Sequence, residues 1–286
     1  MARLLRDLDY LRVIQSDNLD QIIQSNQQTK LDVEQAAQSE MIGYLSQRYI
    51  TSEIFTNTTV FDDALDYFGK NLVEYTESAY LAASTYNDTN RVVYQDKIYS
   101  CNTNGTTGVW NPAKWNYLCD DKALFYVALP QPEFDYYKEY AIGDSVWYAD
   151  KTHTCLIACQ GILPSLSSSL AFWGAGTPFS ITSKPSGGNL EWTAGDNRNQ
   201  QIVLFLLDIT LYHLHSRINP RNIPDLRKER YNGNDPMDRG GAIGWLKSVA
   251  HGNVNADLPT IAPIQGLSMR YGNAGTNTEP SKNMMW

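Results

Sequence analysis

The feature that most restricts the fold of this chain is a stretch of helical length that is apolar nearly all round. Aliphatic and aromatic residues fill almost every position of Ile202–Leu214. A helix that is apolar on every face needs packing partners on every side, which is typical of the centre of a core. The short helices that follow cannot surround it alone. We therefore expect the amphipathic helices near Leu4–Ile14 and Leu31–Leu45 to pack against it.

The segment between these helices has a different composition. Residues 84–195 contain all four cysteines and five of the seven tryptophans, and short alternating apolar runs predict strands. Before this segment, apolar residues at helical spacing predict a further helix over Phe61–Ala82. The sequence thus predicts an α+β protein: a helical bundle formed by residues 1–82 and 196–252, an inserted β-rich module at 84–195, and an extended tail at 253–286.

The predicted module contains an internal repeat. The pattern Tyr-x5-Val-x-Tyr-x-Asp-Lys-x-x-[Ser/Thr]-Cys begins at Tyr86 and again at Tyr140, within repeats spanning residues 86–119 and 140–173. Asp-Lys between two apolar runs suits the tight turn of a β-hairpin. We expect two equivalent hairpin units, with Tyr94 and Tyr148 at matching positions.

The second repeat also resembles small chitin-binding-type carbohydrate modules, through the Tyr-x-x-Gly-Asp-x-Val phrase that starts at Tyr140. The first repeat has Thr89-Asn90 in place of Gly-Asp. Exposed aromatic rings bind the flat faces of sugars, so Trp147, Tyr148 and Trp173 form a candidate glycan platform. The alternative is that these rings form the core of a small module with few aliphatic residues.

The sequence contains no matched set of catalytic or metal-binding residues. Only Cys155 and Cys159 have the short spacing of a zinc knuckle, so buried thiols are favoured over a zinc site built from Cys101, Cys119, Cys155 and Cys159. His213 and His215 are two positions apart on a helix and point to different faces. No phosphate-binding loop or nucleophile motif is present. We expect a protein that is not an enzyme and needs no cofactor or metal.

The net charge argues against a nucleic-acid-wrapping or membrane-surface protein. The chain has 23 Lys+Arg against 31 Asp+Glu, for a net charge of −8. One local basic cluster does occur, and acidic residues are interleaved with it. We expect these basic groups to pair with nearby carboxylates, with contact to DNA or an acidic partner as the alternative. The cluster consists of Arg217, Arg221, Arg227, Lys228 and Arg230.

Three phrases of the sequence resemble tailed-phage head-tail connector proteins, the family that includes the Mu-like head-completion proteins. The first is Tyr44–Tyr49 (Tyr-Leu-Ser-Gln-Arg-Tyr), at the end of an Ala-containing helix. The second is Leu207–Leu214, followed by Ala242–Lys247 and the closing Gly252. The third is Arg270–Asn273, similar to an Arg-Phe-Gly-Ser phrase near connector C-termini. The phrases occur in the family's order over residues 1–82 and 196–286.

The resemblance implies a structural protein of the virion neck, assembled in the host cytoplasm and serving genome packaging and ejection. It implies a ring of identical subunits, usually twelve, that docks on the portal protein, extends the DNA channel and contacts the next ring or a tail protein. DNA would be passing cargo, and the β module would face outward. Apolar anchors in the tail would dock on the portal by strand addition. These candidate docking residues are Met269, Arg270, Tyr271, Met284, Met285 and Trp286. The alternative is a carbohydrate-binding surface module on a helical scaffold.

Overall fold

The computed structural model of the chain describes residues 3–23, 26–56, 58–164, 169–186, 189–218, 220–233 and 240–261. Within these ranges the protein is a mixed α+β structure, with helical segments flanking four small sheets. None of the helices in these ranges combines the length and the apolarity needed to cross a membrane.

The helices form one core around α5. They are α1 (Asp7–Tyr10), α2 (Ser16–Ile23), α3 (Gln27–Leu45), α4 (Thr51–Ile54), α5 (Gln200–Ile218), α6 (Asp225–Asn232) and α7 (Gly241–Ala250). Helices α1, α2, α3, α6 and α7 all contact α5. In the described part of the chain, the buried residues of this core come from residues 4–55 and 202–258 alone. The apolar character of α5 on every side is therefore explained by partners from both parts of the chain.

A buried ion network joins the two parts of the helical domain. The Arg198 guanidinium, just before α5, donates to Asp9 of α1 at 2.7 and 3.0 Å. It also donates to the carbonyl oxygen of Leu4 at 2.7 Å and to Asp196 at 2.8 Å. The side chains of Arg198 and Asp9 are each 1% exposed. Because both charges are paired and hydrogen-bonded, the network fixes the start of α5 against the N-terminal segment.

The described residues between the two helical parts include twelve short strands. They are β1 (Thr58–Val60), β2 (Leu72–Tyr75), β3 (Arg91–Tyr94), β4 (Lys97–Cys101), β5 (Trp115–Asp120), β6 (Ala123–Val127), β7 (Glu139–Tyr140), β8 (Ser145–Tyr148), β9 (Lys151–Thr154), β10 (Cys159–Gln160), β11 (Thr177–Pro178) and β12 (Trp192–Ala194). The helix expected over Phe61–Ala82 is wrong, because β2 pairs antiparallel with β6. The β-rich module therefore begins near residue 58 rather than 84.

The two sequence repeats adopt the same hairpin. Strands β3 and β4 form one hairpin and β8 and β9 the other, with Tyr94 opposite Lys97 and Tyr148 opposite Lys151. Each hairpin has a two-residue turn in which both residues have positive φ, as a type I′ turn requires. These φ angles are 50° and 58° at Gln95 and Asp96, and 50° and 59° at Ala149 and Asp150.

The structure contains a third copy of this unit, which the sequence repeat does not reveal. Its hairpin is formed by β2 and β6, and the turn residue Lys122 has a φ of 59°, like Asp96 and Asp150. The chain leaves this turn after Tyr75 and returns only at Asp121. We call this split copy unit 1, the copy inserted in its turn unit 2 (residues 78–120), and the copy inserted between β6 and β12 unit 3 (residues 132–179).

Each unit has the same aromatic centre. A stacked pair of rings, 5.2 to 5.5 Å between centroids, is met by the edge of one tryptophan. The tryptophan lies 5.6, 5.3 and 5.3 Å from the second ring of the pair in units 1, 2 and 3. The three sets are Phe61, Tyr67 and Trp192; Tyr80, Tyr86 and Trp115; and Phe134, Tyr140 and Trp173.

The units also share the tight turn before their first hairpin strand. In unit 3 the turn is Gly143-Asp144, and the Asp144 carboxylate accepts from the Ala141 N–H at 2.9 Å. In unit 2 the residues are Thr89-Asn90. Thr89 has a φ of 71°, and the Asn90 side chain accepts from the Asn87 N–H at 2.8 Å. The departure of the first repeat from Gly-Asp therefore leaves the turn itself unchanged.

Candidate functional site

The two tryptophans of the predicted glycan platform are buried in the module. Trp173 is 0% exposed, and its indole N–H donates to the carbonyl oxygen of Ile162 at 2.8 Å. Trp147 is 5% exposed and packs on the backbone of Gly69, where an added Cβ would lie 2.6 Å from the indole. Tyr148 is half-buried, with its ring 5.7 Å from Phe134. A platform formed by Trp147 and Trp173 is therefore wrong, since neither ring has a free face.

An accessible aromatic surface lies on unit 2. Trp110 is half-buried and is stacked between Tyr94, at 4.1 Å, and Trp115, at 4.9 Å. Tyr99 lies 5.0 Å from Trp110 and 5.9 Å from the exposed Tyr117. The sequence signal for this surface is a second tryptophan five residues before Trp115. The corresponding ends of units 1 and 3 each contain a single tryptophan.

The cysteines and histidines do not converge. Cys101 and Cys119 belong to unit 2, and Cys155 and Cys159 to unit 3. All four are free thiols. Burial raises the pKa of the Cys119 and Cys159 thiols to about 11, so both are protonated at neutral pH. Across the described ranges, no group of three or more potential ligands could hold a metal ion.

Residues from the connector-like phrases meet where α3 and α7 end. The Arg48 guanidinium donates to the carbonyl oxygen of Val249 at 3.1 Å. Gly252 has a φ of 78°, and a Cβ there would lie 2.5 Å from the same guanidinium. Glycine is thus required at this position both by its backbone conformation and by the closeness of Arg48.

A second contact joins α3 to α5 and α6. The Glu40 carboxylate accepts from the Tyr231 hydroxyl at 2.8 Å and lies 2.7 Å from Nε2 of His213. Burial alone would raise the pKa of Glu40, but the hydrogen bonds from His213 and Tyr231 lower it below 4.5. His213 therefore has a structural partner, while His215 lies beside α6 and does not share it.

The last described residues return to the end of α3. The Ile50 N–H donates to the carbonyl oxygen of Pro259 at 2.8 Å, and the Ile261 N–H donates to that of Arg48 at 3.0 Å. Leu258 is buried in the helical core. The predicted docking residues Met269, Arg270, Tyr271, Met284, Met285 and Trp286 lie outside the described residues.

The basic cluster is partly paired, as the interleaved acids suggested. Lys228 lies 3.0 Å from Asp225, Arg230 3.2 Å from Asp208 and Arg217 3.9 Å from Asp32. Arg227 has no carboxylate partner within the described ranges; its Nη2 donates to the carbonyl oxygen of Val13 at 3.3 Å. The cluster thus contains one buried cation whose charge is not balanced by an ion pair.

Comparison of the chain with protein-family models, curated proteins and solved structures finds no match in any of the three.

Proposed function

We propose that this chain is a structural protein of a tailed-phage virion, a head-tail connector that forms a ring on the portal protein and extends the DNA channel. The observation that carries the proposal is the meeting of the connector-like phrases in one helical core. Arg48 of the first phrase holds the end of α7, and Gly252 leaves the space that this contact needs. The phrases are about 200 residues apart in sequence, so the fold gives them a common structural role.

The charge of the molecule supports a channel through which DNA passes without being held. The net charge is −8, and acidic residues outnumber basic ones in the inserted module at 58–195. A surface with the same sign of charge as DNA prevents tight phosphate contact. The module has its own aromatic cores, separate from the helical core, so it can sit on the outside of a ring.

The direct test is assembly on the portal protein of the same phage. Purified chain and portal are mixed, and the complex is measured by mass photometry and by negative-stain electron microscopy. We expect a ring of identical copies stacked on the portal ring. A chain that stays unassociated with the portal at micromolar concentration would overturn the proposal.

The tail anchors are tested in the same assay. A chain ending at Pro263 should keep the melting temperature of the full chain but lose most of its binding to the portal, because apolar anchors supply most of the energy of such contacts. The matched variants replace either Met269, Tyr271, Met284, Met285 and Trp286 by serine, or Asn273, Thr276, Asn277, Thr278 and Asn283 by serine. Only the first set should weaken binding. Equal binding by both sets would refute tail docking while leaving ring formation in place.

A second candidate function, carbohydrate binding, is favoured by the aromatic surface of unit 2. Tyr117 is 54% exposed and lies 5.9 Å from the half-buried Tyr99, so it offers a ring of the type that stacks on sugars. The probe is chitohexaose in isothermal titration calorimetry. Tyr117→Ala should abolish binding, whereas Tyr137→Ala, an exposed tyrosine of unit 3, should leave it unchanged. No heat of binding to the unaltered chain would eliminate this candidate.

A further inference from the structure

The helical domain has an open apolar groove between its N-terminal segment and α6. Leu11 and Leu226, each 55% exposed, lie on its two sides, and Val13, Ile14 and Ile22 complete the apolar surface. The groove encloses about 880 Å³. Its other lining groups are amides, His215 and Arg227, with no carboxylate among them. The surface therefore suits an apolar segment that also carries negative charge.

Arg227 gives the groove a specific chemical requirement. The residue is 8% exposed, and its Nη1 has no hydrogen-bond partner within the described ranges. Burial and the nearby positive charge of Arg230 lower the pKa of Arg227 by more than the Asp208 carboxylate raises it, so the surroundings compensate its charge only in part. A buried cation without an ion-pair partner is costly, and a carboxylate brought to the groove removes part of that cost.

A loop of unit 1 has the complementary surface. Residues Asp62–Phe68 expose Leu65 (49%) and Phe68 (39%) beside the exposed carboxylates of Asp63 and Asp66. Asp63 pairs with Lys184 at 3.1 Å, whereas Asp66 has no ion-pair partner in the described part of the chain. The corresponding loop of unit 2, residues 81–87, has no charged residue. The corresponding loop of unit 3, residues 135–141, carries Asp135 and Glu139 but also Lys138, so only the loop of unit 1 combines carboxylates with aliphatic Leu65 and no basic residue.

The loop is held in place by ring stacking and by hydrogen bonds at its two ends. Tyr67 is buried and stacked on Phe61 at 5.2 Å, and its hydroxyl accepts from the Asp62 N–H at 2.7 Å. The Phe68 N–H donates to the Asn71 side chain at 2.9 Å. A loop fixed in this way loses little conformational entropy on binding.

The loop and the groove do not touch within one copy. No residue of 62–68 lines the groove, and Leu65 and Phe68 on the loop and Leu11 and Leu226 on the groove all stay exposed. Any contact between them joins two copies through different surfaces, and such head-to-tail contacts close into rings or extend as filaments.

We propose that the Asp62–Phe68 loop of one copy docks in the Leu11–Leu226 groove of the next copy, with Leu65 and Phe68 on the apolar floor and Asp66 facing Arg227. This interface rests on the proposed function, since it is the contact that builds the ring. It also defines the subunit arrangement: the module of each copy covers the helical domain of its neighbour.

The test uses two surface variants of the full chain. Leu226→Glu places a charge in the groove and Leu65→Glu places one in the loop. Each should weaken self-association by about tenfold or more, because a charge at the centre of an interface costs at least about 1.4 kcal/mol. Leu190→Glu, at a position 96% exposed and outside both surfaces, is the matched control. Association is measured by sedimentation velocity, alone and with portal, and circular dichroism confirms folding.

Mixing the two variants decides whether the contact is head-to-tail. Each variant keeps one intact surface, so an equimolar mixture should form a 1:1 dimer and nothing larger, while each variant alone stays monomeric. Rings formed by either variant as readily as by the unaltered chain would overturn this interface and leave the connector proposal standing. An unaltered chain that is monomeric both alone and with portal would overturn both.

Discussion

Arg198 links the two parts of the chain that form the helical domain. Burial opposes its charge, but hydrogen bonds to Asp196 and Asp9 outweigh burial and raise its pKa. Arg198→Ala should lower the free energy of unfolding by about 3–5 kcal/mol, because the buried Asp9 side chain would lose its Arg198 partner. Urea unfolding at neutral pH measures the loss. Arg217→Ala is the control, since the Arg217–Asp32 pair is exposed and its loss should cost less than about 1 kcal/mol. Equal costs for the two variants would contradict a special role for the buried pair.

Glu40 should make stability depend on pH in the acidic range. The pKa of Glu40 is lowered in the folded chain, so ionised Glu40 stabilises the fold above its ordinary value of 4.5. This contribution is lost as pH falls through the folded-state pKa. Glu40→Gln should therefore lose less stability than the unaltered chain between about pH 5 and about pH 3. Urea unfolding across this range provides the measurement.

Glu53 supplies a control of opposite sign. Burial raises the pKa of Glu53, so its ionisation disfavours the fold as pH rises. Glu53→Gln should make the rise of stability with pH steeper, whereas Glu40→Gln makes it shallower. Identical slopes in the two variants would mean that neither carboxyl controls the acid transition.

At the scale of elements, the hairpin turn of unit 3 is not optimal for its backbone. Ala149 has a φ of 50°, a conformation that costs a residue with a Cβ about 1–2 kcal/mol. Ala149→Gly should raise the free energy of unfolding by about 1 kcal/mol, because glycine adopts this φ without strain. Ala141→Gly, in the same unit but without positive φ, should lower it. A melting temperature that falls for both variants would show that the turn is not strained.

The repeats show which elements sequence reasoning can find. Units 2 and 3 were recognised because their hairpins are continuous in sequence, with the turn residues next to both strands. Unit 1 was missed because residues 76–121 separate Tyr75 from Lys122, so no window of sequence contains its hairpin. The same separation explains the helix wrongly expected over Phe61–Ala82. The helical spacing of its apolar residues is visible locally, whereas the pairing of β2 with β6 is not.

The predicted glycan platform is wrong for a different physical reason. Composition alone shows that a module is rich in tryptophan, but not which rings are exposed. In a unit of about 45 residues, aromatic rings are the largest apolar groups available, and they fill the core first. Trp173 is therefore buried, and the accessible rings lie at positions such as Tyr117 where no core contact is required.

At the scale of the whole molecule, the sequence was most informative where one element needed many partners. The apolar surface of Ile202–Leu214 predicted a core shared by distant segments, and the core does contain residues from 4–55 and 202–258. The boundary of the module could not be placed in the same way, because a strand of unit 1 lies directly after the helical segment. The groove was missed as well, since it is formed only when α6 packs beside the N-terminal segment.

The independence of the helical domain is the prediction that tests this organisation. No described residue of 58–195 belongs to the helical core, and the contacts that cross the junction include polar ones: Arg6 with Glu74 at 3.6 Å and Asn197 with Lys70 at 2.9 Å. Replacing residues 58–195 by a Gly/Ser linker should therefore leave a helical protein with a cooperative thermal transition, followed by circular dichroism. Adding Leu206→Asp to this shortened chain should abolish the transition, because the aspartate would be buried without a partner. A shortened chain that melts without cooperativity, even with Leu206 intact, would show that the helices depend on the module for their fold.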